Sequence, residues 1–475
     1  MEARAENLGI ADRSLVRLKF HPQAVLARKG GGFSKPCIRH IVRVEEMVGL
    51  LRGAIETQIV GNIGSARGLT NWHSALKVRA TEVIAMSGAR FAIFLSVVLA
   101  VWAVMHLYVF WRLTSVPWVV EHFSKRTILL TGCLLWLSYP LARILESNRL
   151  DVIGIPLEFL ASLWLGTLFL LFAAVLVTDL VTVGGLLLPR LTPRITGWAA
   201  LTALVFALVA FVQGLRAPVV REYEVAMPGL PKERDGMVVV QISDLHLGTQ
   251  IGRGWLEKLV AQVESLQPDL LVVVGDVIDG NVSRVAPFVP VLKKFNAPLG
   301  VWAVTGNHEF YAGLEPSVAL LESAGFKMLR GASAEVAPGL VLAGVDDLTA
   351  QEQAGLGAGG LNQALTNRPP GATILLSHTP KRLAPEETGG VNLMLSGHTH
   401  NGQIWPFNYL VKLRYPWVGG RYRAGDTTVI VCRGTATWGP RMRLWRPNEL
   451  VRITLRSTPG ASPVLSPSLA SEKPS

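Results

Sequence analysis

The sequence predicts an α-helical membrane region of about four transmembrane helices followed by an α/β domain. Three observations predict it. Four long apolar runs succeed one another between residues 91 and 215. From Gly236 onward, short buried-strand runs alternate with helical segments. Only 17% of the 475 residues are charged, while half are hydrophobic. A soluble chain carries nearer about 25% charge, and the mean hydropathy here is +0.36.

Taken in order, residues 1–85 form a basic N-terminal arm without sustained periodicity, and its RKGGGFSK stretch reads as linker. The arm is either poorly ordered or lies upstream of a true start at Met86. No apolar core of a secretory signal stands near its beginning. The transmembrane region covers 86–215. Phe91 to Trp111 is uncharged between Arg90 and Arg112, and Ile195 to Leu215 is uncharged throughout. Between them, Thr127 to Leu145 contains Pro140 and Arg143, while Ile155 to Thr178 has Glu158 near one end and Asp179 just past the other. Each run (91–111, 127–145, 155–178, 195–215) approaches the ~20 residues a helix needs to cross ~30 Å of hydrocarbon. Four spans place both flanks on one side, and Lys77, Arg79 and Arg90 ahead of the first point to the cytoplasm.

Residues 216–235 read as a linker whose alternating Val219 to Val225 suits an edge strand. The α/β domain covers 236–456, with strand-like runs MVVVQIS, LLVVVG, VWAVTG, LVLAGV, TILLSH, NLMLSG, TTVIVCRG and ELVRITL. Helical segments are expected at Trp255 to Leu266 and Val318 to Gly325. Residues 457–475 are Ser/Pro-rich and predict disorder. The net charge of +12 divides into +7 over residues 1–90, +2 over 91–215 and +3 over 216–475. Basic character is thus mostly a property of the arm, which suits flanks of membrane spans; no nucleic acid is expected as a partner. Cys37, Cys133 and Cys432 form no CxxC pair, so neither a disulfide framework nor a thiolate metal site is indicated.

The residues just past each strand carry the chemistry. VVVQIS runs into Asp244-Leu-His246, LLVVVG into Asp276 with Asp279 behind it, VWAVTG into Asn307-His308-Glu309, TILLS into His378, and NLMLSG into His398-Thr-His400. In open α/β sheets the ligand crevice lies beyond the carboxyl ends of strands. Imidazole and carboxylate suit Mn, Fe, Zn, Ni or Co, and the missing thiolate argues against structural zinc. Asp244, His246, Asp276, Asn307, His378, His398 and His400 are too many for one four-coordinate ion. They suit two ions ~3.5–4 Å apart sharing a carboxylate, an arrangement used for displacement at phosphorus. Gly275, Gly306 and Gly397 each precede a candidate ligand and permit sharp turns.

Asp-x-His, Gly-Asp-x-x-Asp, Gly-Asn-His-Glu, a single His and Gly-His-x-His, in this order, resemble the calcineurin-like metallophosphoesterase superfamily. The Gly-Gln after the last His and the terminal RPNELVRITL resemble its membrane-associated bacterial phosphohydrolase branch. The resemblance spans about residues 236–455. It implies a two-sheet α/β sandwich flanked by helices, two divalent metal ions as cofactors, and hydrolysis of a phosphodiester, phosphomonoester or pyrophosphate by metal-activated hydroxide. By motif position, Asp244, His246 and His400 would hold the first ion and Asn307, His378 and His398 the second, with Asp276 between them. His308 would be the catalytic group beside the phosphate, with Asp279 and Glu309 supporting the ligands from behind. A cell (inner) membrane, multi-pass location is implied for such a chain.

The substrate is less legible. IWPFNYLVKLRYPWVGGRYR, after the last motif, mixes aromatic and basic residues. It reads either as core and turns or as a lip dipping toward the membrane, with Arg414, Arg421 or Arg423 meeting phosphate. Four spans upstream favour a lipid-linked phosphate ester. The alternatives are a tethered phosphodiesterase for soluble substrates and a non-catalytic membrane sensor or scaffold. Glu158 and Asp179 near membrane depth also raise a transporter, on thin support.

Overall fold

A computed structural model describes residues 96–355, 359–383 and 389–458. The basic arm, and the C-terminal tail beyond Thr458, lie outside the described residues. Five helices open the structure: α1 (Ser96–Leu113), the short α2 (Pro117–His122), α3 (Lys125–Ser147), α4 (Asp151–Thr182) and α5 (Thr192–Gly214). All but α2 are long and apolar enough to cross a membrane. Pro140 stays within α3, and Ser124 caps that helix by accepting from the Thr127 amide at 3.1 Å. Small residues line the buried side of α5, namely Ala200, Ala203, Ala207, Ala210 and Gly214. Such residues let helix backbones approach closely where no hydrophobic drive separates helix from lipid.

The acidic residues near membrane depth are paired. Asp179 takes Arg112 Nη2 at 2.5 Å and Tyr108 Oη at 2.5 Å. Glu158 takes Arg143 Nη1 at 2.9 Å and Thr249 Oγ1 at 2.8 Å. Both acids thus have structural partners, as charged groups at membrane depth usually do.

The α/β domain is a sandwich of two six-stranded sheets. The first runs β1 (Val219–Met227), β12 (Glu449–Ser457), β2 (Val238–Ile242), β3 (Leu270–Val274), β4 (Val301–Val304), β5 (Lys327–Met328). β2 to β5 are parallel, and β12 lies antiparallel to β2. The second runs β10 (Gly420–Ala424), β11 (Thr427–Val431), β9 (Val391–Ser396), β8 (Ala372–Leu376), β7 (Leu340–Gly344), β6 (Ala332–Ala337). There β7, β8, β9 and β11 are parallel, with an antiparallel strand at each edge. Strands covered on both faces must be apolar throughout, hence LLVVV in β3 and ATILL in β8, every residue buried. Val239, Val272, Val274, Leu342, Ile374, Leu376, Leu393 and Ile453 fill the space between the sheets. Helix α6 (Arg253–Ser265) covers the outer face of the first through Leu256, Leu259 and Val263. Gln241 crosses the core, donating from Nε2 to Ser396 O at 2.8 Å, and so ties the end of β2 to the end of β9.

The sandwich is seated on the helix bundle. Ile404, Met442 and Leu444 share one apolar cluster with Leu168, Leu171, Ala207 and Ala210. The Arg443 amide donates to Ala210 O at 2.7 Å, Trp445 N to Gln213 Oε1 at 3.0 Å, and Gln250 Nε2 to Ser162 Oγ at 3.1 Å. Arg284 bridges Glu146 Oε2 at 3.2 Å and Asp151 Oδ1 at 2.8 Å at the α3–α4 turn. At Gly214 the backbones meet with no room for a side chain, since a Cβ there would lie 2.7 Å from Arg441 C and 2.8 Å from Met442 N. Backbone cannot yield as a flexible side chain does. Gly214→Val should therefore cost about 1–3 kcal/mol of local overpacking and loosen the seat. Hydrogen exchange of the Arg443 amide should rise about tenfold or more, one decade per ~1.4 kcal/mol, while the β3 amides keep their protection. An unchanged Arg443 rate would show that the seat does not depend on this contact.

Candidate metal centre

Five strands deliver the predicted residues to one edge of the sandwich. β2, β3 and β4 are neighbours in the first sheet and end in the Asp244–His246, Asp276 and Asn307 turns. β8 and β9 are neighbours in the second and end in the His378 and His398–His400 turns. Three overlapping clusters result: Asp244, His246 and His400; His246, Asp276 and His308; Asp276, His378 and His398. Within each, one ligand-type atom per residue lies within 4.8 Å of the others. His246 Nε2 stands 3.1 Å from His400 Nε2 and 3.9 Å from Asp276 Oδ2. His400 Nε2 is 3.3 Å from Asp244 Oδ1, and His378 Nε2 is 3.0 Å from Asp276 Oδ2. Asp276 belongs to two clusters and is the residue that joins them.

These turns are strained. Asp244 (φ 57°), His246 (45°), Asp276 (54°), His398 (71°) and His400 (47°) all occupy the left-handed region. For residues other than glycine this costs on the order of 1 kcal/mol each, and it persists where surrounding bonds over-determine it. Here they do. The His398 amide donates to Asp244 Oδ1 at 3.0 Å, and the His308 amide to Asp276 Oδ1 at 2.9 Å. Glu309 accepts from the amides of Asp276, Val277, Ile278 and Gly306 at 3.0, 2.8, 3.0 and 2.7 Å, tying the β3 and β4 turns together. The preceding glycines are needed for space. A Cβ on Gly275 would sit 2.6 Å from His378 Nδ1, one on Gly306 would strike the Asp276 carboxylate, and one on Gly397 the Ser243 hydroxyl.

The donors behind the centre set which ring nitrogens face it. His378 Nδ1 donates to Val274 O at 2.7 Å, leaving Nε2 toward Asp276. Arg443, wholly buried, donates from Nη1 to His400 O at 3.0 Å, and its Nη2 lies 3.1 Å from His400 Nδ1. Tyr415 Oη lies 2.7 Å from His398 Nε2. Asp279 Oδ1 accepts from His308 Nδ1 at 3.0 Å. Sequence reasoning misses Arg443 and Tyr415, and also Trp438 and Tyr311, whose rings stand 5.8 and 5.5 Å from the His308 ring. No strand-end motif announces any of the four; they reach the site through the two loops after β9 and β11 and the helix after β4. Arg421 and Arg423, on β10 and weighed for phosphate, instead donate to Glu224 O on β1 and to Gly425 O.

The electrostatics fit divalent cations. Burial would raise the Asp276 pKa, but His378 and His308 more than offset it and hold it well below the usual carboxylate range. Asp244 is likewise lowered, burial being outweighed by His400 and His378. Burial, with neighbouring imidazoles, pushes His246 down to about 3 and His398 down to about 4, so both rings are neutral and ready to ligate. Burial would also lower His308, yet Asp276 and Asp279 raise it to about 9. Asn307 Oδ1 is buried without a hydrogen-bond partner. An orphaned oxygen of this kind costs about 1–3 kcal/mol unless something binds it, and a cation would.

The sequence around this site is similar to that of known proteins. Residues 237–402 match the family model of the calcineurin-like phosphoesterases. The chain is 35% identical over 257 residues to a metallophosphoesterase of Campylobacter jejuni, covering 53% of this chain and 67% of that protein. It is 36% identical over 243 residues to one of Aquifex aeolicus, covering 50% of this chain and 91% of that protein. It is 34% identical over 278 residues to a transmembrane protein with metallophosphoesterase domain of Danio rerio, covering 55% of this chain and 63% of that protein, less than two thirds of its length.

The site's electrostatics also make metal loading depend on pH. Burial opposes protonation of His378, but Asp276 raises its pKa well above 6.5, so the metal-free ring is an imidazolium at neutral pH. Ligation needs the neutral ring, so a bound ion must displace that proton. Calorimetric titration with Mn at pH 7, in two buffers of different ionisation enthalpy, should report net proton release, and affinity should weaken as pH falls. Loading with no proton release would count against His378 as a ligand.

Proposed function

The chain belongs to the calcineurin-like phosphoesterase family, and from that membership we propose that it is a membrane-anchored, dinuclear-metal-dependent phosphoesterase. One observation carries the proposal: three overlapping His/Asp clusters, linked in turn through His246 and Asp276, at the carboxyl ends of five strands. Asp244, His246 and His400 would hold one divalent ion, Asn307, His378 and His398 the other, with Asp276 shared. When bound, the pair would supply Lewis acidity toward the phosphoryl oxygens and an activated water.

The chain's own groups do the rest. His308 holds a proton at neutral pH, and its Nδ1 is committed to Asp279. The other ring nitrogen is then available to give its proton to the leaving oxygen, a general-acid contribution of about 10²–10⁴-fold. Glu309 keeps the Asp276 and Asn307 turns in register, so that the shared carboxylate and the amide point into one space. Trp438 and Tyr311, both exposed, wall the His308 side and would exclude water from the leaving group.

The finer reading is a lipid-linked phosphate ester. It is supported by the seating of the domain on the spans, through Ile404 and Leu444, only four residues past His400 in the first case. A cytoplasmic domain is supported by the basic residues ahead of the first span. A fluorescent-protein fusion at Ser475 should then fluoresce and an export-dependent phosphatase fusion there stay inactive; the reverse would move the domain across the membrane.

Asp276→Asn should abolish hydrolysis of bis-aryl phosphate, by at least about 10³-fold, while the protein still inserts; wild-type turnover would sink the two-ion reading. His308→Ala should lower kcat by about 10²-fold or more yet leave metal content near that of the wild type. Lost metal would make His308 a ligand instead. Comparing lipid-linked pyrophosphates with nucleotide diesters separates a lipid enzyme from a merely tethered one.

A further inference from the structure

The loop after His400 leads into helix α7 (Phe407–Arg414), eight residues that bury Asn408, half-bury Val411 and expose the other six. Its outward residues are not those of a soluble surface. Phe407 is 44% exposed, Leu410 55% and Leu413 84%, spaced three apart and so on one face of the helix. Lys412 and Arg414 accompany them, with Lys412 Nζ 5.8 Å from the Tyr409 ring and the Arg414 guanidinium 5.5 Å from the Tyr415 ring. Large apolar side chains in such a cluster mark an interaction surface rather than scatter.

The neighbours of this face say what covers it. The Phe407 ring meets Phe169, midway along α4, at 5.5 Å. Trp405 stands 5.1 Å from Trp445, and Trp445 stands 5.3 Å from Phe206, two turns inside the end of α5. Leu204 and Leu208, on the same stretch of α5, are exposed as lipid-facing residues are. The apolar face of α7 is therefore continuous with the outer surface of the spans, at a level inside their ends. An amphipathic helix with apolar residues on one face and Lys/Arg beside them lies in the bilayer interface, with charged heads reaching anionic headgroups along their apolar stems.

We infer that α7 lies in the interfacial layer of the bilayer, with Phe407, Leu410 and Leu413 among the upper acyl chains and Lys412 and Arg414 at anionic headgroups. The metal centre then opens at headgroup depth, because the helix begins seven residues after His400 and ends one residue before Tyr415, which holds His398. The phosphate of a membrane lipid would reach the site without leaving the bilayer. Only this last step rests on the phosphoesterase reading.

The test uses the full chain in vesicles containing anionic phospholipid. Leu413→Cys, in a background with Cys37 and Cys133 replaced by Ser, carries an environment-sensitive fluorophore; Glu322→Cys, at an exposed polar position of the α/β domain, is the reference. Position 413 should lose at least half its emission to lipids bearing a shallow nitroxide and position 322 none. In the Leu410→Ser/Leu413→Ser variant, the rate on a vesicle-borne lipid ester relative to bis-aryl phosphate should fall about tenfold. Emission at 413 matching 322 would overturn the inference. So would a blue shift without quenching, which would mean that a second copy of the chain covers the face. If 413 is quenched but neither ester is hydrolysed, the seating stands and the phosphoesterase reading falls. If bis-aryl phosphate is hydrolysed while 413 is in water, only the seating falls.

Discussion

The buried carboxylate of Asp276 is the constraint around which this molecule is arranged. An ionised carboxylate removed from water costs several kcal/mol unless charge and hydrogen bonds compensate it. Compensation here comes from every side. His378 approaches from the second sheet at 3.0 Å, His246 from β2 at 3.9 Å, and the His308 amide from the β4 turn at 2.9 Å. Three separate chain segments must therefore end at one point, and both sheets must present their carboxyl ends to the same edge. The left-handed turns and the glycines without room for a Cβ are consequences of that convergence. Without cations, His378 and His308 supply the positive charge; a pair of divalent ions would take that place and release His378 to act as a neutral ligand.

A second body of contacts ties the centre to the membrane. Thr249 lies three residues past His246 and reaches Glu158 on α4. Ile404 lies four residues past His400 and packs on the same helix near Gly166. Arg443 anchors His400 with its side chain while its amide bonds Ala210 on α5. Both turns that would hold the first ion are thus braced against membrane helices. The spans are part of the scaffold of the site as well as an anchor, and a change of packing among them would be felt at Asp244, His246 and His400.

Much of this was legible in the chain because its signals are local. A span declares itself by uncharged length, and a doubly covered strand by an unbroken apolar run. The recurrence of Asp, Asn and His directly after such runs shows where a crevice must be, since a strand's end is visible in sequence even when its neighbours are not. Edge strands were harder. Val219 to Val225 alternates and could be read, whereas β6, with Ala-Ser-Ala-Glu-Val-Ala, has no pattern that distinguishes it from a turn. Arg443 and Tyr415 were illegible for a different reason. Each lies in a loop without regular periodicity, and a buried arginine has the same letter as the exposed ones around it.

By itself, then, the sequence determined the apolar helical region, the α/β class of the domain after it, and which strand ends carry candidate metal ligands, because hydrophobic length, apolar runs and ligand chemistry are properties of short segments. Tertiary structure alone decided that Arg443 and Tyr415 fix the rings of His400 and His398, and that the α7 face continues the surface of the spans. Each of those depends on distances between segments more than a dozen residues apart, which only the packing of two sheets on a helix bundle can set.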